Sequence, residues 1–598
     1  MKTFFDDPTA LAPPLTLRSE GSDGSVLLRS PSALGPYDRC IGVWIERWAR
    51  ESPAEVALAE RAADGRWRRM TWREVRNAVG SIGQALLDLD LPAGKPVVIL
   101  SENSIDHALL MLAAMHVGRP VCSVSTAYCR QTTDYTKVAS ILDALDPALI
   151  FAEQGSAYAP ALQACRPTAP MIIGKDADLL PGAIGFGSLL EVRETADVDR
   201  AFQKVGADDH AKYLLTSGST GHPKVVINTH RMLCANQQMI LQAWRFLARE
   251  KPVLVDWLPW SHTFGGNHNL NLVLRNGGTL YIDEGRPAPG LIDKTLRNLC
   301  EVRPNLLFNV PRGFDMLLPP LEADLDLARD VLAGLRMAFY AGAALPTSTW
   351  QRLVTLAAKV RDEPLWLTTS WGATETSPAV TSAHWHLDQA GSIGIPLPGL
   401  DLKLVPNGEK LEIRVRGVSV FPGYRNAPEL SAAAFDDEGF YKIGDAGRLQ
   451  DVAHPEQGVV FDGRVAEDFK LGTGTWVSAG TLRPELVAAF SPYAQDLVLT
   501  GHDRSEIGVL LFPSPAASAL APTALADKLR AVLRGLAAQG LGSSQCPRRV
   551  LVMTEPPSAD AGEITYKGYL NQRAVLSRRA ADVARLHAEP PPAAVIVC

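Results

Sequence analysis

Residues 95–124, KPVVILSENSIDHALLMLAAMHVGRPVCSV, pass from an apolar run at 97–100 into a helical pattern that Ser104 can cap and Gly118 stops. They then return to an apolar run at 121–124. Strand, helix and strand within thirty residues make a βαβ unit, which commits this part of the chain to a parallel sheet with a helix across it. The same alternation returns at 292–310, and again where 337–340 leads through AGAAL to a helix opened by Pro346. The expected class is therefore α/β, with parallel-rich sheets covered by helices. After residue 401 the texture shifts to shorter alternating runs, LKLV, KLEIRVRG and GVVFDG, which predict a small β subdomain. A boundary is expected at 462–465. Beyond it, apolar runs at 497–499 and 509–512, an Ala/Leu-rich helix at 524–538 and a basic helix at 569–587 predict a small α+β domain. With 598 residues the chain is too long for one core, and the division expected is 1–462 and 463–598.

Charge and cysteine usage remove several function classes. Lys and Arg number 59 against 65 Asp and Glu, a formal charge of −6, so no electrostatic footprint of nucleic-acid binding exists. The eight cysteines contain no CxxC pair, which argues against a disulfide scaffold or a zinc site and fits a reducing cytosol. The opening MKTFFDDPTALAPP lacks the apolar core of a signal peptide, and no run of 18 apolar residues follows, so a soluble, cytoplasmic, membrane-free protein is expected. The final Cys598 lacks the three following residues of a prenylation motif, and the tail EPPPAAVIVC is expected to be flexible.

Chemistry concentrates first at 213–230, YLLTSGSTGHPKVVINTH. Between two apolar runs, Thr216, Ser217, Ser219 and Thr220 offer hydroxyls. Gly218 and Gly221 let backbone N–H groups approach phosphate oxygens without a Cβ, and Lys224 adds a positive charge. GxxxxGK[ST] is absent, so this is not a Walker A loop.

TSGSTGHPK resembles the phosphate loop of the adenylate-forming superfamily, which includes acyl-CoA synthetases, adenylation domains of peptide synthetases and firefly-type luciferases. Further segments match in the expected order along nearly the whole chain. AGAAL at 341–345, with Gly342 and Ala343, is similar to the adenine-lining loop. TSWGATE at 369–375 resembles the aromatic-Gly-x-Thr-Glu segment, here Trp371, Gly372, Thr374 and Glu375. IGDAGRL at 443–449 resembles the ribose-binding segment, and DGRVAEDFK at 462–470 the hinge of a mobile C-terminal domain. The resemblance implies that Glu375 ligates Mg²⁺ together with Thr220, phosphate oxygens and water, and that Asp445 holds the ribose hydroxyls. Arg464 would reach the ribose or phosphate, or form a hinge salt bridge.

DWLPWSHTFGGNHN at 256–269 matches the segment that borders the acyl pocket. There His262 would meet the carboxylate being activated, with Trp260, Phe264 and Gly265 shaping a flat pocket. The family's catalytic lysine usually follows Ser/Thr-Gly, whereas this chain reads AGEITYKGYLNQR. Strict alignment puts Glu563 in the lysine position, where its charge has the wrong sign, so the catalytic cation is expected at Lys567. The hinge departs too, with Ala466 where Asp or Lys is common. At 472–478, Gly474 and Trp476 would flank the pantetheine arm of coenzyme A.

DWLPWSHTFGGNHN, LRNGGTLYIDEG, EDFKLGTGTWVS and GEITYKGYLNQRAVL together look like bacterial feruloyl-CoA synthetases. The resemblance implies an aromatic, hydroxycinnamate-like acid, ATP with Mg²⁺, and coenzyme A as acceptor. Two other functions stay open. One is an adenylation enzyme that loads a carrier protein or stops at acyl-AMP, although no carrier-like segment is recognised. The other is a nucleotide-binding sensor without turnover, suggested by the altered lysine segment and hinge.

Overall fold

The computed structural model describes residues 4–130, 132, 134–216, 223–465, 467–473, 475–540, 542–558, 561–564 and 570–598. It is an α/β protein of two compact units. One comprises Met1–Lys403, Arg414–Ile443 and Leu449–Val460, the other Leu404–Ile413, Gly444–Arg448 and Phe461–Cys598.

In the first unit the βαβ reading of 95–124 becomes the centre of a seven-stranded sheet. Strands Val97–Leu100 and Val121–Ser123 pair in parallel, joined by the helix Ile105–His116. Ser104 Oγ accepts from His107 N at 3.1 Å, and Gly118 ends the helix at φ +78°. Leu149–Gln154, Met171–Lys175 and Ile184–Gly185 extend the sheet in parallel on one side. On the other side lies His210–Thr216, with Lys224–Thr229 antiparallel at the edge. Val97, Val98, Ile99 and Leu100 are all buried, as a strand covered on both faces requires.

A second group of strands carries the remaining segments of interest in this unit. Val253–Asp256 and Thr279–Ile282 run parallel in a four-stranded sheet. Leu306–Asn309, Met337–Tyr340 and Trp366–Thr369 form a three-stranded parallel sheet in register, with Asn309, Tyr340 and Thr369 aligned at one end. Ends of parallel strands are where α/β folds present loops to ligands.

In the second unit the strands Ala494–Thr500, Gly508–Pro513, Arg549–Val552 and Val595–Val597 form a sheet in that order. Two expectations are corrected here. The tail is not loose: Val595–Val597 pairs antiparallel with Arg549–Val552, and Val595 and Ile596 are buried, because the apolar VIV completes the sheet edge. The basic helix is two helices, Gln572–Arg578 and Ala580–Leu586, interrupted at Arg579, whose buried guanidinium meets Glu563.

Among the described residues no helix is long and apolar enough to cross a membrane.

Candidate functional site

Two antiparallel strands place Thr216 opposite Lys224, so both residues that flank the polar segment stand at one end of the seven-stranded sheet. Ser217, Gly218, Ser219, Thr220 and Gly221 lie outside the described residues. The Lys224 ammonium sits 4.9 Å from the centroid of the Tyr424 ring, a cation–π contact. The Tyr424 hydroxyl in turn donates to Glu375 Oε1 at 3.2 Å. Burial first, and then the Glu375 charge, raises the Tyr424 and Tyr441 phenols well above their ordinary value, so both stay protonated as donors.

Glu375 is only 8% exposed, on a short 3₁₀ turn, Thr374–Thr376, beyond the end of Trp366–Thr369. The turn folds back sharply. Val380 N donates to Trp371 O at 2.9 Å and Phe421 N to Glu375 O at 2.8 Å. A Cβ on Gly372 would lie 1.8 Å from Pro378 O, so only glycine fits there. One parallel strand away, Gly342, at φ +88°, and Ala343 are exposed just past Tyr340, and Thr369 Oγ1 donates to Tyr340 O at 2.6 Å, tying the two strand ends together.

Among the described residues no Lys or Arg pairs with Glu375, and no cluster of three or more His, Cys, Asp or Glu forms a protein-only metal cage. A single buried hard carboxylate suits Mg²⁺ shared with phosphate oxygens and water, which needs only one or two protein ligands.

The 256–269 segment follows the strand Val253–Asp256. Burial pushes the Asp256 carboxyl up to about 7, although Asn269 Nδ2, 2.9 Å from Oδ2, and the Leu258 amide favour its charged form. Trp260 and Phe264 are both buried. Trp260 meets His107 edge-on at 4.9 Å, and Phe264 packs against Phe339 at 5.7 Å and His268 at 5.8 Å. Burial holds His107 and His268 near 4, so both rings are neutral packing partners. His262 is half-buried, and its Nδ1 accepts from Phe264 N at 3.2 Å. Phe264–Asn269 is π-helical, a wider winding that appears mainly in single turns and often at functional sites. Gly265 is required by packing: its Cβ would lie 2.2 Å from Leu258 O.

In the second unit Asp445 is buried and paired with Arg464, Nε to Oδ1 3.1 Å. The ribose candidate and the salt-bridge candidate of the sequence are thus partners of each other. Lys410, which no motif singles out, pairs with Asp468 and donates to Ser478 Oγ at 2.8 Å. Trp476 is 36% exposed, with the Lys470 ammonium 5.0 Å from its ring. Ala466, Gly474 and Lys567 lie outside the described residues. Glu563 does not behave as a stand-in for a catalytic lysine. It is fully buried and bound by Arg578 and Arg579.

Tyr424 was not legible as a site residue, because it acts through partners distant in sequence.

A family model for AMP-binding enzymes matches residues 45–425, and one for the AMP-binding enzyme C-terminal domain matches 471–590. A carboxylic acid reductase of Mycobacterium marinum is 26% identical over 535 residues, 79% of this chain and 42% of that protein. A 3-[(3aS,4S,7aS)-7a-methyl-1,5-dioxo-octahydro-1H-inden-4-yl]propanoyl:CoA ligase of Rhodococcus jostii is 26% identical over 426 residues, 68% of this chain and 76% of the ligase. The chain spans only 40% to 45% of the fungal atromentin synthetase-type and mycobacterial reductase relatives it matches. Among solved structures, an anthranilate CoA ligase in complex with anthranoyl-AMP superposes with a TM-score of 0.71 at 20% identity, covering 92% of this chain and 98% of the ligase. ATP-bound MatB from Rhodopseudomonas palustris gives a TM-score of 0.67 at 22% identity, covering 91% and 99%. At these identities the structures show a shared fold.

Proposed function

The chain belongs to the AMP-binding enzymes, and from that premise we propose that it activates a carboxylic acid with ATP and passes the acyl group to the thiol of coenzyme A. The observation that carries this reading is the buried Glu375 carboxylate, joined through Tyr424 to Lys224 at the foot of the polar loop. It joins the candidate metal ligand to the candidate phosphate cradle within one unit.

A carboxylate resists nucleophilic attack because its charge is delocalised, so it first needs a leaving group. In the proposed first step its oxygen attacks the α-phosphorus of ATP, the bond to the β-phosphate oxygen breaks, and pyrophosphate leaves with the electron pair. The product is an acyl-AMP. Glu375 and Thr220 would hold Mg²⁺, which when bound supplies positive charge to phosphate oxygens. Thr216, Ser217, Gly218, Ser219, Gly221 and Lys224 would cradle those oxygens. Gly342, Ala343, Trp371, Gly372 and Thr374 would bound the base, and Asp445 and Arg464 the ribose. Lys567 would offset charge growing between carboxylate and phosphate. In the second step the thiol sulfur attacks the acyl carbon, AMP leaves, and the thiol proton passes to solvent. Gly474 and Trp476, on the domain 463–598, would border the thiol's arm in this step.

The acid proposed is an aromatic one with a conjugated propenoate arm, met by His262, Trp260, Phe264 and Gly265. This rests on the four segments similar to feruloyl-CoA synthetases and on the aromatic surroundings of the 256–269 segment. A second acceptor, a carrier-tethered phosphopantetheine thiol, is supported by the likeness to the A-PCP didomain of a carboxylic acid reductase from Segniliparus rugosus, with a TM-score of 0.70 over 93% of this chain.

Acid-dependent exchange of pyrophosphate into ATP without coenzyme A, followed by thioester detection with it, tests the reading. Exchange with no thioester would point to the carrier acceptor. No exchange with any of a panel of aromatic and aliphatic acids would overturn the proposal.

A further inference from the structure

Lys212 and Asn228 stand opposite each other on the two strands that carry the polar loop. Neither side chain reaches solvent: Lys212 is 3% exposed and Asn228 fully buried. Lys212 Nζ donates to Gly266 O at 2.8 Å, inside the π-helical turn Phe264–Asn269. Asn228 Oδ1 accepts from Asn267 Nδ2 at 2.8 Å in the same turn, and Asn228 Nδ2 donates to Thr374 O at 3.1 Å, beside Glu375. Gly266 N donates to His262 O at 2.8 Å, so a single residue, Gly266, links the lysine to the histidine of the acyl segment through its two flanking peptide groups.

No slack exists around this turn. A Cβ on Gly266 would lie 2.5 Å from Trp260 O, and Gln237 Nε2 donates to both Asn267 O and His268 O, at 3.1 and 3.2 Å. Among the described residues no carboxylate pairs with Lys212, and burial pushes its ammonium down to about 7. A buried cation without an anionic partner is costly, and an apolar residue of the same length would avoid that cost. What the ammonium does provide is a donor long enough to cross from the sheet to the Gly266 carbonyl.

We infer that Lys212 and Asn228 are positioning residues, a cross-strand pair that fixes the acyl-segment turn and the Glu375 turn to the hairpin carrying the phosphate loop. This rests on the ligase reading above. Its consequence is that acid and nucleotide are held in register by side chains that touch neither. Lengthening or loosening the clamp displaces His262 relative to the hairpin, and small misplacements of reacting groups are expensive in rate.

The test uses the full chain with Lys212→Met, which keeps length and loses the donor, and Asn228→Ala. Each is measured for pyrophosphate exchange and for amide hydrogen exchange of peptides covering 256–269. The expected result in both variants is a fall of at least tenfold in kcat/KM for the acid and faster amide exchange at 256–269, with KM for ATP changed less than threefold in Lys212→Met and raised more in Asn228→Ala, which also frees the Glu375 turn. The double variant should be no worse than the worse single one, because the pair acts as one clamp. An acid kcat/KM within twofold of the parent, or equal losses for acid and ATP accompanied by a matching fall in Tm, would overturn the inference. If Lys212→Met does not accumulate folded, Asn228→Ala decides it alone. If the parent shows no acid-dependent exchange at all, the ligase reading falls. The clamp then stands or falls on whether amide exchange at 256–269 accelerates.

Discussion

Arg579 grips Glu563 along both carboxylate oxygens, Nε to Oε1 at 2.6 Å and Nη2 to Oε2 at 2.9 Å. Arg578 Nη1 adds a bond of 2.7 Å and the Ser558 amide one of 2.8 Å to Oε2. Asn571 N donates to Glu563 O at 2.8 Å, and Ile564 bridges to Leu570. The glutamate that occupies the lysine position in a strict alignment is therefore a buried tie beside the Ile564–Leu570 bridge. Its sign, wrong for stabilising an anionic transition state, is right for two arginines.

Glu563→Ala should therefore destabilise the second unit by about 3 kcal/mol or more, since it leaves Arg579 buried without its partner. Thermal unfolding of parent and variant measures this. A Tm change within one degree would show the pair to be idle.

The same pair has a pH signature. Burial works to raise the Glu563 carboxyl, but Arg579, the Ser558 amide and Arg578 outweigh it and hold the group down to about 2, against an ordinary 4.5. Because the folded value is depressed, the stabilisation is full above about pH 4.5 and is lost as pH falls toward 2. The Tm difference between parent and Glu563→Gln should shrink over that window. A difference that stays constant with pH would contradict the assignment.

Glu375→Gln keeps the shape of the turn and removes a hard, charged oxygen ligand. Pyrophosphate exchange should then require about tenfold more Mg²⁺. Tyr424→Phe, which deletes only the donor to Glu375, should have the smaller effect. Titration of activity with Mg²⁺ checks both, and an unchanged magnesium requirement in Glu375→Gln would reject the metal role.

Lys567→Ala should slow acyl-AMP formation by about 100-fold or more, the scale of losing one charge-stabilising donor. Thioester formation from synthetic acyl-AMP should remain largely intact, since in the proposed mechanism Lys567 serves only the adenylation step. Normal adenylation by this variant would place the catalytic cation elsewhere.

Ferulate and coumarate should give higher kcat/KM than straight-chain fatty acids of similar size. The reverse order would remove the aromatic substrate while leaving the ligase reading in place.

Local pattern was enough to find the parallel elements: the apolar run at 97–100, the Ser104 cap and the Gly118 stop each act within a few residues, so their physics is written in adjacent letters. The turn that carries Glu375, in the short polar stretch after Trp371, was legible for the same reason. What the sequence could not determine were the partners. That Lys212 lies opposite Asn228, that both reach the turn at 264–269, and that Tyr424 joins Lys224 to Glu375 depend on strand register and on packing between residues up to two hundred positions apart. Reading the tail as loose failed on the same ground, and the structural role of Glu563 had no local sign. A side chain's charge and an apolar triplet were visible, but which buried arginine or open sheet edge would receive them was settled only when the chain closed around them.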